Sequence, residues 1–248
     1  MKCLGIDIGG TGVKAAPVDV STGRLLAERM RVPIPKPATP RAVLEAVQEL
    51  VSHFKWTGRV GCTMPSVVKS GVVYSATNID SSWLGVDAAR LFAHRKRPPV
   101  VVHNDADAAA VAEMQFGAGR GKNGLVLMVT LGTGIGTALF YRGSLVPNLE
   151  LGQIEYDGKK AEQRATNRVR EERDQSWQKW GGRVNEYLLM LEKIASPDLI
   201  IIGGGVSKHH REFFPYLKTD CKVVPAKLLN EAGIIGVALM AARPGDFR

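Results

Sequence analysis

The chain has 248 residues, of which 45% are hydrophobic and 23% are charged, as expected for a globular protein large enough to bury a core. No stretch approaches the roughly 20 apolar residues that cross a bilayer, and the N-terminus lacks the apolar segment of a signal peptide, so we expect a cytoplasmic protein without membrane contact. Lys and Arg number 33 against 24 Asp and Glu, and the net charge of +9 favours a polyanionic partner, with a merely soluble basic surface as the alternative.

The first half of the chain predicts alternating strands and helices. Apolar runs and apolar alternation indicate strands, whereas apolar residues at helical spacing indicate helices. The predicted elements, in order, are strands at 3–8, 13–19 and 24–32, a helix at 41–54, strands at 59–64 and 70–75, a helix at 86–95, a strand at 98–105 and a helix at 106–117. A proline-rich loop, PIPKPATPR, precedes the first helix, because proline removes a ladder donor.

The second half repeats this order. GLVLMVTLGTGIGTALFYRG predicts two strands around a glycine-rich bend, and the charged run from Lys159 to Trp180 predicts helix. A helix at 183–195, a buried strand at 197–205 and an apolar helix at 231–243 follow. The repetition predicts two α/β lobes, a small one of residues 1–106, on which the helix 231–243 packs back, and a large one of residues 107–230.

Two glycine-rich bends occupy similar places in the two halves. The bends at 9–12 and 132–136 each follow an apolar strand and lead into another strand. Exposed backbone N–H groups in such a bend make a concave anion site. The P-loop and the dinucleotide fingerprint lead into a helix instead, so neither motif applies here.

Four motifs in this order, DIGGTGVK, HND, LGTGIGTAL and IIGGGVS, resemble the sugar kinases of the ROK family. The stretch from VPNLELGQ to NEAGIIGVALMA is similar to the polyphosphate glucokinase subgroup of that family, and the resemblance covers nearly the whole chain. It implies an α/β fold of the two-lobed actin-like ATPase (ribonuclease H-like) class, with a cleft between the lobes. It also implies phosphoryl transfer from inorganic polyphosphate to glucose, with ATP as a further donor, by a homodimer.

The resemblance assigns the phosphoryl-transfer chemistry to two acids. Asp105, at a strand end, matches the general base that takes the proton of the sugar hydroxyl, although a helix N-cap would look the same in sequence. Asp7 matches the acid that holds Mg²⁺ through water. The phosphate-binding positions implied are Asp7, Gly9, Gly10, Thr11, Gly12, Lys14, Gly132, Thr133, Gly134 and Gly136, and the nucleotide or donor side is Gly203, Gly204 and Gly205.

The sugar-binding positions implied by the resemblance are Asn78, Asn104, Asp105, Glu150 and Gln153. Gln153 departs from the family's ExGH motif, in which the last residue is His, and Ser66 stands where Gly is more typical, so glucose and mannose both stay open as acceptors. The cysteine-rich segment of zinc-bearing members is absent. The three cysteines, Cys3, Cys62 and Cys221, form no CxxC pair, so we expect no structural zinc.

Three alternatives to a polyphosphate glucokinase remain open: an ATP-dependent glucokinase, a glucose/mannose kinase and a non-catalytic sugar-binding regulator. Regulators of the family carry a DNA-binding segment ahead of the kinase-like domain, whereas DIGG begins with Asp7 here, so we expect no nucleic-acid partner. The basic run from Lys159 to Arg183 is typical of a solvated helix face and would alternatively fit a polyphosphate track.

Overall fold

The computed structural model describes residues 1–10, 12–93 and 99–247. The chain divides into two compact units. Unit 1 comprises Met1–Ala112 together with Glu231–Arg248, and unit 2 comprises Glu113–Asn230.

Unit 1 is built on a mixed sheet with helices on its connections. Its elements are β1 (Lys2–Gly9), β2 (Gly12–Asp19), β3 (Arg24–Leu25), β4 (Met30–Pro33), α1 (Pro40–His53), β5 (Val60–Met64), β6 (Val68–Lys69), β7 (Val72–Val73), α2 (Ala88–Phe92), β8 (Val100–Asn104) and α3 (Asp105–Phe116). The strand order is β3-β2-β1-β5-β8, with β4 also paired to β2. The strands β1 and β2 form an antiparallel hairpin, while β5 and β8 run parallel to β1.

Unit 2 repeats this topology. Its elements are β9 (Leu125–Leu131), β10 (Ile135–Tyr141), β11 (Ser144–Val146), β12 (Glu155–Tyr156), β13 (Lys159–Lys160), α4 (Glu162–Ala165), α5 (Asn167–Glu172), α6 (Trp177–Ala195), β14 (Leu199–Gly203), α7 (His210–Phe213) and β15 (Lys222–Pro225). The last helix of the chain, α8 (Ala232–Ala242), belongs to unit 1. The strand order is β11-β10-β9-β14-β15, again a hairpin, an outer antiparallel strand and two parallel strands. Each unit therefore contains one copy of the same α/β arrangement.

The two long amphipathic helices are defined by their caps. Thr39 accepts a hydrogen bond from the backbone N–H of Ala42 and Pro40 opens α1, both strong signals for a helix start. Ser176 caps α6 in the same way, and Ser196 ends that helix in the left-handed conformation with φ 46°. The buried faces of both helices cover one side of the sheet in their own unit.

Glycines in β1 and β5 allow α8 to lie directly against the unit 1 sheet. Gly5 and Gly61 are neighbours in the parallel pairing of the two strands. A Cβ atom on Gly5 would lie 2.0 Å from the carbonyl oxygen of Ile234, and one on Gly61 would lie 2.2 Å from that of Val237. The backbones therefore touch, which explains why α8 is apolar on all sides and almost entirely buried.

A buried carboxylate holds the end of α3 within unit 2. Glu113 is fully buried, and its Oε1 accepts hydrogen bonds from the backbone N–H groups of Lys227 and Leu228 at 2.8 and 2.6 Å. Its Oε2 accepts from the N–H of Ala118 at 2.7 Å. Three charge-assisted hydrogen bonds compensate for burial of the carboxylate and join two loops that are far apart in sequence.

Several predicted elements differ from the structure, and the strand predicted at 70–75, for example, is only β7 (Val72–Val73). The strand predicted at 24–32 is two short strands, β3 and β4, which pair with different parts of β2. The stretch predicted as helix from Lys159 begins instead with β13, the second strand of a hairpin. Helix α2 covers only part of the predicted helix at 86–95, whose last two positions lie outside the described residues.

Replacing Gly61 by Ala should destabilise the fold, because the new Cβ would overlap the Val237 carbonyl, 2.2 Å away. We expect Gly61→Ala to lower the free energy of unfolding in urea by about 3 kcal/mol, the range of overpacked cores. As a control, Gly182 lies within α6 with open space around it, so Gly182→Ala should raise stability by about 0.5–1 kcal/mol. Equal effects of the two changes would contradict the close packing of α8.

Candidate active site

Asp7 lies near the end of β1 and is held from three sides. Lys14, opposite it on β2, places its Nζ 3.9 Å from Oδ2. The hydroxyl of Thr63, on β5, donates to Oδ1 at 2.9 Å and accepts from the backbone N–H of Ile8 at 3.0 Å. The first turn of α8 closes the third side, where a Cβ on Gly233 would lie 3.0 Å from Oδ1. The carboxylate thus has a fixed orientation and remains 24% exposed.

The first glycine bend joins β1 to β2 beside another candidate segment. Gly9 and Gly12 pair as the last residues of the hairpin, as the sequence predicts. Gly10 approaches the loop that carries Asn78, since a Cβ on Gly10 would lie 3.4 Å from the Asn78 carbonyl oxygen. Thr11, also predicted to bind phosphate, lies outside the described residues.

Asn104 caps α3, a role that the sequence also allows for Asp105. Its side-chain oxygen accepts from the backbone N–H of Asp107 at 3.0 Å, and its Nδ2 donates to the carbonyl of Ser66 at 3.1 Å. Asp105 follows in the first turn, half-buried, and its Oδ1 accepts from the N–H of Ala106 at 2.9 Å. The buried amide therefore fixes the strand end that carries the Asp105 carboxylate.

His103 was not singled out from the sequence, although it belongs to the same edge of the sheet. It pairs with Thr63 across β5 and β8, so Thr63 and His103 continue the row that begins with Lys14 and Asp7. Burial lowers the pKa of His103 to about 4 from 6.5. The imidazole is therefore neutral at physiological pH and adds no positive charge beside Asp105.

Unit 1 gathers its candidates at one edge. Asp7 lies near the end of β1, Ser66 follows β5 and Asp105 follows β8, and these three strands are parallel. The carboxyl ends of parallel strands are the usual location of ligand sites in α/β proteins. Thr63, which orients Asp7, could have been suspected only as the polar residue in an otherwise apolar strand.

The second glycine bend, Gly132–Gly136, joins β9 to β10 in unit 2. Gly132 has open space where a Cβ would stand, and Thr133 is exposed. The Thr130 hydroxyl donates to the carbonyl of Gly136 at 3.3 Å, while the Gly132 carbonyl accepts from the N–H of Arg168 at 3.2 Å. The bend is thus fixed at its base and exposed at Thr133.

The three glycines at the end of β14, Gly203 to Gly205, have different surroundings. A Cβ on Gly203 would lie 2.6 Å from Met128 Cε, and one on Gly204, whose φ is 82°, would lie 2.6 Å from the carbonyl of Leu131. Packing against β9 therefore requires glycine at position 204 whether or not a ligand binds, whereas the flexible end of Met128 can shift to admit a side chain at position 203. Gly205 is exposed with open space around it, so packing does not explain why position 205 is a glycine.

Glu150 and Gln153 lie on one short turn that is bound tightly to β10. The buried Thr137 hydroxyl donates to the carbonyl of Leu149 at 2.6 Å and accepts from the N–H of Leu151 at 3.1 Å. Gly152 lies against Ile135, whose carbonyl oxygen would be 2.5 Å from an added Cβ. Although Glu150 is exposed, desolvation by its surroundings raises the pKa of its carboxyl, and the nearby Glu162 raises it further.

Part of the basic run after this turn forms contacts within unit 2. Arg164 forms ion pairs with Asp157 and Glu186, both at 2.9 Å, and lies over the Tyr156 ring. Arg170 lies 3.9 Å from the centre of the Trp177 ring. These contacts favour the interpretation of the run as a structured helix surface rather than a free polyphosphate track.

The donor set at Asp7 fits a magnesium ion that keeps most of its water. One partly exposed carboxylate, oriented by Thr63, is the kind of ligand that Mg²⁺ takes from a protein. Within residues 1–10, 12–93 and 99–247, no group of three or more His, Cys, Asp or Glu side chains is placed to hold a metal ion without water or substrate. Among those residues, too, no helix has the length and apolar character needed to cross a membrane.

The pKa of His103 is about 4 in the folded protein, against 6.5 in the unfolded chain. Between pH 4 and pH 6.5 the unfolded state therefore binds more protons than the folded state. The free energy of unfolding should therefore decrease as the pH is lowered, by about 2 kcal/mol between pH 7 and pH 5 from this residue. We expect His103→Gln to remove this part of the pH dependence, measured by urea unfolding at both pH values. Identical pH dependence in the two proteins would contradict a neutral, buried His103.

Comparison with known proteins identifies the family of the chain. The ROK family model matches residues 3–147. The chain is 44% identical over 237 residues to the polyphosphate glucokinase of Mycobacterium tuberculosis (strain CDC 1551 / Oshkosh), covering 95% of this chain and 89% of that protein.

Solved structures resemble the chain over almost its whole length. The inorganic polyphosphate/ATP-glucomannokinase of Arthrobacter sp. strain KM matches with a TM-score of 0.93 at 47% identity, covering 97% of this chain and 98% of that one. A ROK family glucokinase from Streptomyces griseus, in complex with glucose and AMPPNP, matches with a TM-score of 0.83 at 25% identity, covering 98% and 100%. The predicted α/β fold of the actin-like class is confirmed, and the chain belongs to the ROK family.

Proposed function

We propose that the protein transfers the terminal phosphoryl group of inorganic polyphosphate to glucose and releases glucose 6-phosphate. The observation that carries the proposal is the edge of unit 1 on which an oriented Asp7, its partner Lys14 and the capped strand end with Asp105 occur together. The Mycobacterium and Arthrobacter relatives, both named for polyphosphate-dependent sugar phosphorylation, support the choice of donor and acceptor.

Asp105 is the general base in this proposal. Its carboxylate accepts the proton of the sugar hydroxyl while the hydroxyl oxygen forms a bond to the terminal phosphorus, and the bond from that phosphorus to the rest of the chain breaks. Because Asn104 is held through Ser66 and Asp107, the base would approach the hydroxyl from a fixed position. Preorganisation of this kind lowers the entropic part of the barrier.

The glycine bends and Lys14 would bind the donor. Backbone N–H groups of Gly9, Gly10 and Gly12, with Thr11 between them, would contact the transferred phosphoryl group, and Lys14 would neutralise its oxygens. The second bend, Gly132, Thr133, Gly134 and Gly136, would hold the following phosphates. Magnesium, held through water by Asp7, would supply charge neutralisation on the phosphate oxygens.

The acceptor would be recognised by polar side chains. Asn78, Asn104, Glu150 and Gln153 offer amide and carboxylate groups, which suit sugar hydroxyls because each hydroxyl both donates and accepts. The name of the Arthrobacter relative, a polyphosphate/ATP-glucomannokinase, favours a second candidate, a kinase that also accepts mannose and ATP. In that case Gly203, Gly204 and Gly205 would lie on the nucleotide side. A cytoplasmic homodimer without structural zinc or nucleic acid completes the proposal, and it rests on the family resemblance.

Donor preference is tested with purified protein, glucose and Mg²⁺. We expect glucose 6-phosphate with polyphosphate of defined chain length, measured by a coupled dehydrogenase assay, and mannose and ATP are compared under the same conditions. Formation of product with ATP alone would replace the polyphosphate proposal by the nucleotide-dependent one. Absence of product with every donor would contradict the enzymatic function.

Asp105→Asn should lower kcat by about 10²–10⁴-fold, because the amide cannot accept the hydroxyl proton. Glucose affinity, measured by calorimetry, should change little, since the side chain keeps its shape and one oxygen. Asp174→Asn is a suitable control, because Asp174 is exposed and its φ of 43° suits Asn equally well. A kcat near that of the wild type for Asp105→Asn would refute the base assignment.

A further inference from the structure

A short hairpin returns the chain to the turn that carries Gln153. The strands β12 and β13 pair Glu155 with Lys160. Asp157 and Gly158 connect them with φ values of 48° and 68°, the left-handed pair that a tight two-residue hairpin turn requires. The N–H of Ala161 donates to the carbonyl of Ile154 at 2.8 Å, which closes the hairpin next to Gln153.

This hairpin brings Lys160 onto the side chain of Gln153. The Nζ atom of Lys160 donates a hydrogen bond to Gln153 Oε1 at 3.0 Å. Both residues are half-buried, whereas the neighbouring Lys159 is exposed. An ammonium group can only donate, so the contact commits the amide oxygen to Lys160 and leaves the Nε2 group, with its two N–H donors, for another partner.

The same turn also carries a carboxyl group whose pKa is raised. Glu150 lies on the same turn, and the pKa of its carboxyl is raised by desolvation and then by Glu162. Lys160 precedes Glu162 by two residues and contacts the turn that holds Glu150. The amide of Gln153, held by Lys160, and the carboxyl of Glu150 therefore belong to one turn.

We propose that Lys160 is a positioning residue of the sugar site, which holds the Gln153 amide so that Nε2 donates to a sugar oxygen. The inference rests on the proposed function, in which Glu150 and Gln153 bind the acceptor. With Lys160 in place, Gln153 offers donors and Glu150 offers acceptors from one rigid turn. This complementary pair suits neighbouring hydroxyls of a hexose, and it depends on an amide that cannot flip.

Lys160→Met tests the contact, because Met keeps the length of the side chain and removes the donor and the charge. We expect the KM and the calorimetric Kd for glucose to rise about tenfold, as for the loss of one oriented hydrogen bond, while kcat and the KM for polyphosphate change less than twofold. Lys159→Met, one residue away and exposed, should leave the KM for glucose unchanged. An unchanged glucose Kd in Lys160→Met would overturn the inference.

A double-mutant cycle tests whether Lys160 acts through Gln153. If it does, Lys160→Met should weaken glucose binding no further once Gln153→Ala has removed the amide. Additive losses would show an independent role and overturn the inference. Lys160→Arg, which retains an N–H donor, should recover most of the affinity, and this comparison keeps the test valid if the Met variant is unstable.

Different results would refute the role of Lys160 and the proposed function. A wild-type protein that phosphorylates glucose, together with a Lys160→Met variant of unchanged glucose affinity, would refute the role of Lys160 alone. A wild-type protein that neither binds glucose in calorimetry nor forms product would refute the proposed function, and the role of Lys160 with it.

Discussion

Direct contact between the backbone of α8 and the strands β1 and β5 is the constraint on which the candidate site in unit 1 depends. The contact exists because Gly5 and Gly61 have no side chains on that face of the sheet. It sets the position of Gly233, which closes one side of the Asp7 carboxylate. The same helix crosses α3 at Gly236, where an added Cβ would lie 1.6 Å from the Ala108 carbonyl, so the helix that begins with Asp105 is fixed as well. Asp7 and Asp105, which are far apart in sequence, are thus both positioned by α8.

The candidate residues are held by neighbours that carry no reactive group themselves. Thr63 orients Asp7, the carbonyl of Ser66 anchors Asn104, and Thr137 fixes the turn of Glu150. Each support comes from a neighbouring strand or from the loop that follows it, and each uses a hydrogen bond that is at least partly buried. Sites built in this way lose little entropy when a ligand binds, because the side chains already occupy their working positions.

The strands, the long helices and both glycine hairpins could be predicted because periodicity and glycine spacing are local signals. The hairpin of β12 and β13 was missed because charged residues on both sides suggested helix, although the Asp-Gly pair at 157–158 is a local turn signal. The role of Thr63 could not be predicted, since it depends on the register between β1 and β5. The sequence suggested a ligand-binding role for Gly203 and Gly204. Their packing against β9 could not be predicted, because it becomes visible only when the strands are paired.

The return of α8 to unit 1 also has a consequence for synthesis of the protein. A ribosome makes β1, β5 and β8 early, yet one face of their sheet is covered only when residues 232–242 emerge, after all of unit 2. Unit 2 is continuous in sequence and has its own hydrophobic core, so it is able to fold first. The nascent chain therefore carries an uncovered sheet while unit 2 is translated, and during this interval unpaired strands and apolar surface are most exposed to aggregation and to chaperones.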